Sequence, residues 1–257
     1  MKRRAVFITG ANSGIGEALA RHYAAEGRPV GLAARDAPRL QAVAAELPTP
    51  SAYYPLDVTD AAALARAAAD FIARFGPPEI VIAAAGVSAG TLTECPDDLP
   101  AFRRIMDINV YGMAATFAPF IGPMKTAGAG RLVGIASVAG IPGLPGAEAY
   151  SASKAAAIAY LESLRLELKP TGIRVVTIAP GYIATPMTAV NPYRMPFLMP
   201  AGGAARSFSR VIARGQSYAV IPWPMAIVAK VLRLLPNALY DRLFQNAPRK
   251  PRRQSLP

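Results

Sequence analysis

The stretch AYSASKAAAIAY (149–160) sets Tyr150 and Lys154 four positions apart among Ala and Ser. In a helix that spacing puts a phenol and an ammonium on one face, one turn apart. The ammonium favours phenolate, which would let Tyr150 shuttle a proton near neutrality. A packed helix carrying one solvated lysine has the same spacing. With 10 Tyr and 6 Lys in 257 residues, Y-x-x-x-K arises by accident in roughly one such chain in four. The pair therefore needs a second site to work with.

TGANSGIG (9–16) supplies a candidate. It follows the apolar AVFITG and runs into the helical pattern EALARHYAAEG. Gly10, Gly14 and Gly16 lack a Cβ, so the turn can tighten and the backbone can approach a pyrophosphate. The helix that starts there points free N–H groups and its positive dipole end at such an anion. T-G-x-x-x-G-x-G between a strand and a helix is expected by chance in under roughly one chain in a hundred. A tight turn with no ligand is the weaker reading.

The elements that must position these residues are legible in outline. Short apolar runs rich in Val, Ile and Ala alternate with helical patterns, which argues for βαβ units and a parallel sheet. The strand candidates are AVFITG (5–10), PVGLAA (29–34), AYYPLD (52–57), EIVIAAA (79–85), RLVGIAS (131–137) and IRVVTIAP (173–180). Their continuous apolarity suits strands covered on both faces. Helices are expected over 14–26, 36–46, 60–75, 98–127 and 150–169. Near residue 190 the texture changes, with NPYRMPFLMPAGG (191–203) dense in Pro, Met and Gly.

Composition narrows the function. At 53% hydrophobic and 17% charged residues, the chain has a globular composition. Cys95 is the only cysteine and His22 the only histidine, so neither a disulfide nor a zinc cluster is expected, and no metal site is assigned. The basic opening MKRRAVFITG has too short an apolar run for a signal peptide, so a cytoplasmic protein is expected. The net charge of +12 is uneven: residues 201–257 carry 10 Lys/Arg against the single acid Asp241. No aromatic-basic module accompanies that charge, so no nucleic-acid partner is expected. An anionic membrane surface or an acidic substrate suits it as well.

Several motifs in order resemble the short-chain dehydrogenase/reductase family, in its compact branch. They are TGANSGIG, LDVTD (56–60), INVYG (108–112), IASVAG (135–140), YSASK (150–154) and PGYIATPM (180–187), and the resemblance covers about residues 4 to 190. It implies one Rossmann-type α/β catalytic domain over 1–257. That domain is a three-layer, doubly wound parallel sheet of about seven strands flanked by helices.

The same resemblance implies a hydride-transferring oxidoreductase. Asn12, Ser13 and Ile15 would join the three glycines around the cofactor, with Asp57 and Val58 at the adenine and Ala85 and Gly86 lining the pocket. Pro180, Gly181, Ile183 and Thr185 would line the nicotinamide side. Ser137 would bind the substrate oxygen as charge develops on it. Lys154 would also hold the nicotinamide ribose, and Asn109 would support a water near Lys154. Ala34 stands where NAD-preferring relatives place an acid, and Arg35 where NADP-preferring relatives place a base. NADP(H) is therefore expected over NAD(H), although Asp36 weighs against it and Arg35 could instead cap a helix start. The expected substrate is an apolar ketone, aldehyde or secondary alcohol. A cofactor-sensing regulator without turnover is the alternative, disfavoured because both Tyr150 and Lys154 are present.

Three segments depart from the family pattern. AAAG (83–86) replaces the usual paired asparagines before Ala-Gly, which removes polar links behind the cofactor. SYAVIPWP (217–224) replaces the usual ending of the last strand, leaving a homodimer plausible and a tetramer in doubt. Beyond PGYIATPM, residues 187–215 are expected to form a substrate lid built on Met187, Tyr193, Met195, Phe197, Leu198 and Met199. The apolar helical run 225–244 is then followed by the basic, disordered-looking tail PRKPRRQSLP. Residues 225–257 could lie on anionic lipid or pack on the core or a subunit partner.

Overall fold

The computed structural model describes residues 4–252; the first three residues and the last five of the basic tail lie outside the described range. The chain alternates strand and helix from β1 (Val6–Thr9), α1 (Gly14–Ala25), β2 (Val30–Ala34) and α2 (Ala37–Ala45) through β3 (Ser51–Pro55), α3 (Ala61–Phe75) and β4 (Ile80–Ala83). Asp36 and Asp60 start α2 and α3 by accepting the backbone N–H of Arg39 at 3.0 Å and of Ala63 at 2.9 Å.

A long helical passage follows: α4 (Leu99–Met106), a π-helical turn (Asp107–Tyr111) and α5 (Gly112–Thr126). Next come β5 (Gly130–Ile135), α6 (Glu148–Leu168) and β6 (Ile173–Pro180). The short strands β7 (Ile183–Ala184) and β8 (Met199–Pro200) flank α7 (Pro186–Ala189). Finally α8 (Ala201–Arg214), β9 (Tyr218–Ile221), α9 (Trp223–Leu234) and α10 (Asn237–Phe244) complete the described chain.

Seven strands form one parallel sheet in the order β3-β2-β1-β4-β5-β6-β9, and β7 pairs with β8 apart from it. β1 is buried on both faces, which its unbroken apolar sequence requires. Val6 and Ile8 pack with Leu19, Leu40 and Phe208 of α1, α2 and α8. Phe7 points the other way, onto Phe71 of α3 and Phe120 of α5. Helices thus cover both faces, as the doubly wound arrangement demands. The strand order reverses between β1 and β4, so their C-terminal ends open a crevice.

The expected seventh strand is YAVI (218–221), with Thr177–Pro180 as its partner, so the altered ending completes the sheet. Two other expectations need correction. The apolar run 225–244 is two helices, because Pro236 has no N–H to continue the first one. Within the segment assigned to the lid, α8 is core: its Ala204, Ala205, Phe208 and Ile212 are buried against α1. The part left exposed over the strand ends is residues 187–200. Among the described residues no helix is long and apolar enough to cross a membrane.

Candidate active site

The glycine turn sits where β1 and β4 diverge. Gly10 has φ +68°, and a Cβ there would lie 2.7 Å from the Ala85 backbone nitrogen. Gly14 also has positive φ, +57°, and a Cβ on it would come within 3.1 Å of Thr185 Cγ2. A Cβ on Gly16 would overlap the Gly10 carbonyl. The turn therefore has room only for backbone, and AAAG reaches it through backbone atoms. Ser13 precedes α1 without a side-chain cap, which leaves the first-turn N–H groups facing the crevice for an anion. These residues, with Asn12 and Ile15 inside the same turn, fit a dinucleotide pyrophosphate.

At the end of β2, Ala34 is buried and Arg35 is exposed. Arg35 does not cap α2; Asp36 does, through Arg39 N. Arg39 is a residue the sequence reading missed. Its guanidinium reaches the Asn12 carbonyl at 3.3 Å and Glu17 at 3.0 Å, which places a second cation beside the glycine turn. Asp57 has partners that its sequence context did not show. One carboxylate oxygen accepts from Thr59 N at 2.9 Å and Thr59 Oγ1 at 2.8 Å, the other from Arg104 at 2.5 Å. Burial alone would raise its pKa, but Arg104 and Thr59 overcome this and hold it at about 2. These three bonds fix the carboxylate and leave its Arg104-bound oxygen able to accept a further donor. Val58 packs against the start of α5, where a Cβ on Gly112 would be 2.6 Å from its Cγ2.

The expected tetrad converges on α6. Tyr150 and Lys154 lie on one face of this helix, with the Lys154 Nζ 5.8 Å from the Tyr150 ring centroid. Burial pushes the Tyr150 phenol up, and the Ser137 side chain offsets only part of that rise. The leading influence is therefore opposite to the one the bare i, i+4 spacing suggested. Burial likewise pushes the Lys154 ammonium down to about 8. Lys154 Nζ donates to the Ile135 carbonyl at the end of β5, at 2.9 Å. Ser137 follows that strand, and its Oγ accepts the Ala139 N–H at 3.1 Å. Gly140 lets this turn press on the helix: a Cβ there would be 2.6 Å from the Lys154 carbonyl carbon.

Asn109 is fully buried in the π turn, an irregularity that often marks functional sites. Its Oδ1 accepts the Val87 N–H at 2.9 Å, while its Nδ2 donates to the Val87 carbonyl at 3.0 Å and to Ser153 Oγ at 2.9 Å. Ser153 in turn donates to the Tyr150 carbonyl at 2.8 Å. Asn109 thus ties the loop after β4 to the catalytic helix through Ser153, a link the sequence reading missed. Gly86 lies against the same cluster, since a Cβ there would be 3.2 Å from Asn109 Oδ1 and 3.6 Å from Lys154 Nζ.

Pro180, Gly181, Ile183 and Thr185 border the crevice from the β6 side. Gly181 N donates to the Ile221 carbonyl at 2.9 Å, and Thr185 caps α7 in a reciprocal box with Thr188. Above them, Tyr182 and Tyr193 make an edge contact at 6.4 Å. Burial raises the Tyr193 pKa. Phe197 stands in the left-handed region at φ +58°, a strained conformation for an aromatic residue.

A family model described as short chain dehydrogenase matches residues 4–194. The chain is 38% identical over 244 residues to an uncharacterized oxidoreductase of Myxococcus xanthus, covering 94% of this chain and 96% of that one. It superposes on a short-chain dehydrogenase from Streptomyces avermitilis with TM-score 0.78 at 23% identity, over 95% of this chain and 97% of that one. A 3-ketoacyl-ACP reductase from Sinorhizobium meliloti gives TM-score 0.76 at 27% identity, over 84% and 96%. A glycine turn at the strand crossover, a helix carrying Tyr150 and the buried Lys154, and these likenesses agree: the chain belongs to the short-chain dehydrogenase/reductase family and is an NAD(P)-dependent oxidoreductase.

Proposed function

We propose that the protein is an NADP(H)-preferring reductase of apolar ketones or aldehydes, able to run in reverse on the corresponding secondary alcohols. The observation that carries this reading is Tyr150 on one face of α6 with the buried Lys154, one helical turn apart and with the ammonium 5.8 Å from the phenol ring centroid. When bound, the dinucleotide supplies the hydride that reduces the carbonyl carbon. Tyr150 gives its phenolic proton to the oxygen, and Ser137 holds that oxygen as it becomes negative. Lys154 stabilises the phenolate left behind, so a proton from solvent can restore the phenol. Asn109 fixes the loop after β4 so that the pocket wall and the catalytic helix keep one geometry.

The cofactor preference rests on Arg35. It is exposed past β2, with the apolar Ala34 before it, while Asp36 is occupied in capping α2. A guanidinium at that position pairs with a 2′-phosphate, whereas the Arg39 charge is offset by Glu17. Titration followed by nicotinamide fluorescence tests this. NADPH should bind roughly tenfold or more tighter than NADH, and Arg35→Ala should remove most of the difference. Equal affinities in the unaltered protein would overturn the NADP(H) assignment, and no binding of either would overturn the enzyme reading.

The apolar substrate is inferred from Tyr182, Tyr193, Met195, Phe197 and Leu198 above the tetrad; Phe197 and Leu198 are exposed. The likeness to a 3-ketoacyl-ACP reductase supports a carbonyl on an acyl chain among the candidates.

Helix α9 supports work at an anionic lipid surface. Trp223, Ile227, Val231 and Leu234 form one stripe along it, each more than half exposed, with Lys230 and Arg233 exposed beside it. In a symmetric contact between two copies, those cations would face each other, which favours lipid over self-association. The protein should sediment with vesicles of phosphatidylcholine plus phosphatidylglycerol and not with phosphatidylcholine alone. Trp223→Ser with Leu234→Ser should abolish this, and equal recovery with neutral vesicles would count against an electrostatic lipid contact.

A further inference from the structure

The basic C-terminal segment, expected from its sequence to be a disordered tail, is held against the loops around the catalytic opening as far as it is described. Tyr240 Oη donates to the Gly143 carbonyl, in the loop that leads into α6 and Tyr150. Arg249 packs on the same loop: a Cβ on Gly146 would be 2.9 Å from the Arg249 Cβ. Lys250 Nζ donates to Ser88 Oγ at 3.0 Å and to the Met187 carbonyl at 3.3 Å. Gly90 N then donates to the Pro251 carbonyl at 3.0 Å, and Gly90 and Arg252 form a parallel bridge. Gly90 has no space for a side chain, because a Cβ would run into the Lys250 and Pro251 backbone.

The segment ends in a lock. Arg252 donates to both carboxylate oxygens of Asp98, at 2.8 and 3.1 Å, across 154 positions of sequence. The Asp98 side chain is only 3% exposed and also accepts the Leu92 N–H at 2.9 Å. Such a two-pronged arginine–carboxylate pair fixes both position and orientation. The hydrogen bond from Arg252 holds the Asp98 carboxyl below the usual carboxylate range.

Each loop gripped by this segment borders a residue of the proposed chemistry. Loop 143–146 leads to Tyr150, Ser88 follows the Val87 held by Asn109, and Met187 opens the exposed segment above the tetrad. We propose that Arg249–Arg252 is a wall of the substrate opening, latched by Arg252 on Asp98, and that this latch limits the size of carbonyl compound admitted. The proposal rests on the reading of Tyr150 and its neighbours as a carbonyl-reducing site. Arg252 and Asp98 touch neither the tetrad nor the glycine turn, so they act as specificity-determining residues by positioning the wall.

The test compares Arg252→Ala and Asp98→Asn with the unaltered full-length protein, using Arg252→Lys as partial rescue. Two readouts are taken: NADPH-dependent reduction of acetophenone and 2-acetylnaphthalene, and hydrogen exchange at the Gly90 amide. The Ala variant should shift the kcat/KM ratio toward the larger ketone by roughly fivefold or more. NADPH affinity should stay within about twofold, and the Gly90 amide should lose protection. Asp98→Asn should move both readouts the same way if Arg252→Ala does not yield folded protein. An unchanged ketone ratio, or a Gly90 amide unprotected in the unaltered protein, would overturn the proposal. If neither ketone is reduced while Gly90 is protected only when the latch is intact, the strap stands and the carbonyl-reducing reading is what has failed.

Discussion

Helices α6 and α9 break the usual rule of burial in opposite directions. On α6 a lysine lies almost wholly inside the protein, beside the fully buried Asn109 of the π turn. On α9 a tryptophan and a leucine stand 72% and 83% exposed. Burying polar groups is tolerable only when their hydrogen bonds are met inside. The α6 cluster meets this condition: Asn109 makes three bonds, and Lys154 donates to the Ile135 carbonyl. Exposing apolar side chains costs little in folding but forgoes the stabilisation of burying them. Neither inversion is what packing alone would select. The contrast therefore separates a polar cluster whose hydrogen bonds are met inside the protein from an apolar face left open to solvent.

Replacing Asn109 should give the largest effect on stability. Asn109→Leu keeps the approximate shape but removes the partner of both the Val87 N–H and the Val87 carbonyl. We expect a loss of about 2–4 kcal/mol, read by urea unfolding, with weaker cofactor binding as the loop after β4 loosens. A loss below about half a kcal/mol would mean that the polar cluster is not what fixes this region.

Lys154 sharpens the contrast through pH. Its folded-state pKa of about 8 lies below the ordinary lysine value of 10.5. Below pH 8 the ammonium is charged in both states, and its burial penalty is fully present. As pH rises from 8 to 10.5 the folded state sheds the proton first, so the penalty is relieved. Lys154→Met should therefore be more stable than the unaltered protein at pH 7, by a margin that narrows toward pH 10, while losing turnover. Thermal unfolding across that range checks it, and a pH-independent margin would contradict the burial argument.

The smallest effect belongs to α9. Trp223→Ser and Leu234→Ser should each change unfolding stability by no more than about 0.5 kcal/mol. A loss above about 1 kcal/mol in either variant would show that this face is part of the core's support and not an open surface.

The elements that recur with a clear period were legible in the sequence. β1, β2 and β4 are unbroken apolar runs, β5 and β6 are apolar after an early arginine (Arg131, Arg174), and the glycine spacing of 10, 14 and 16 announced the turn between β1 and α1. The four residues of β9 gave no such signal, because Tyr-Ala-Val-Ile beside Pro222 reads equally well as a loop, and only pairing with β6 settles it. The π turn was hidden for another reason. One widened turn between α4 and α5 leaves the helical pattern intact on both sides, so 98–127 reads as one helix.

Side-chain partnerships across long separations were the least legible. The sequence placed Asp57 at the adenine, but not the pairing of its carboxylate with Arg104, 47 positions later. Nor could a basic tail announce that Arg252 meets Asp98. Charge runs usually solvate, and only the fold brings those two residues together. Tyr150 and Lys154 were readable because one helical turn spaces them, whereas Ser137 after β5 and Asn109 in the π turn followed from the family resemblance.

The most direct test of the whole account is Tyr150→Phe, assayed for turnover and for NADPH binding in the same preparation. The account predicts turnover lower by about 10²–10⁴-fold or more, with NADPH affinity within about twofold, because only the proton donor is removed. Turnover near that of the unaltered protein would contradict it, and would remove Tyr150 from the chemistry.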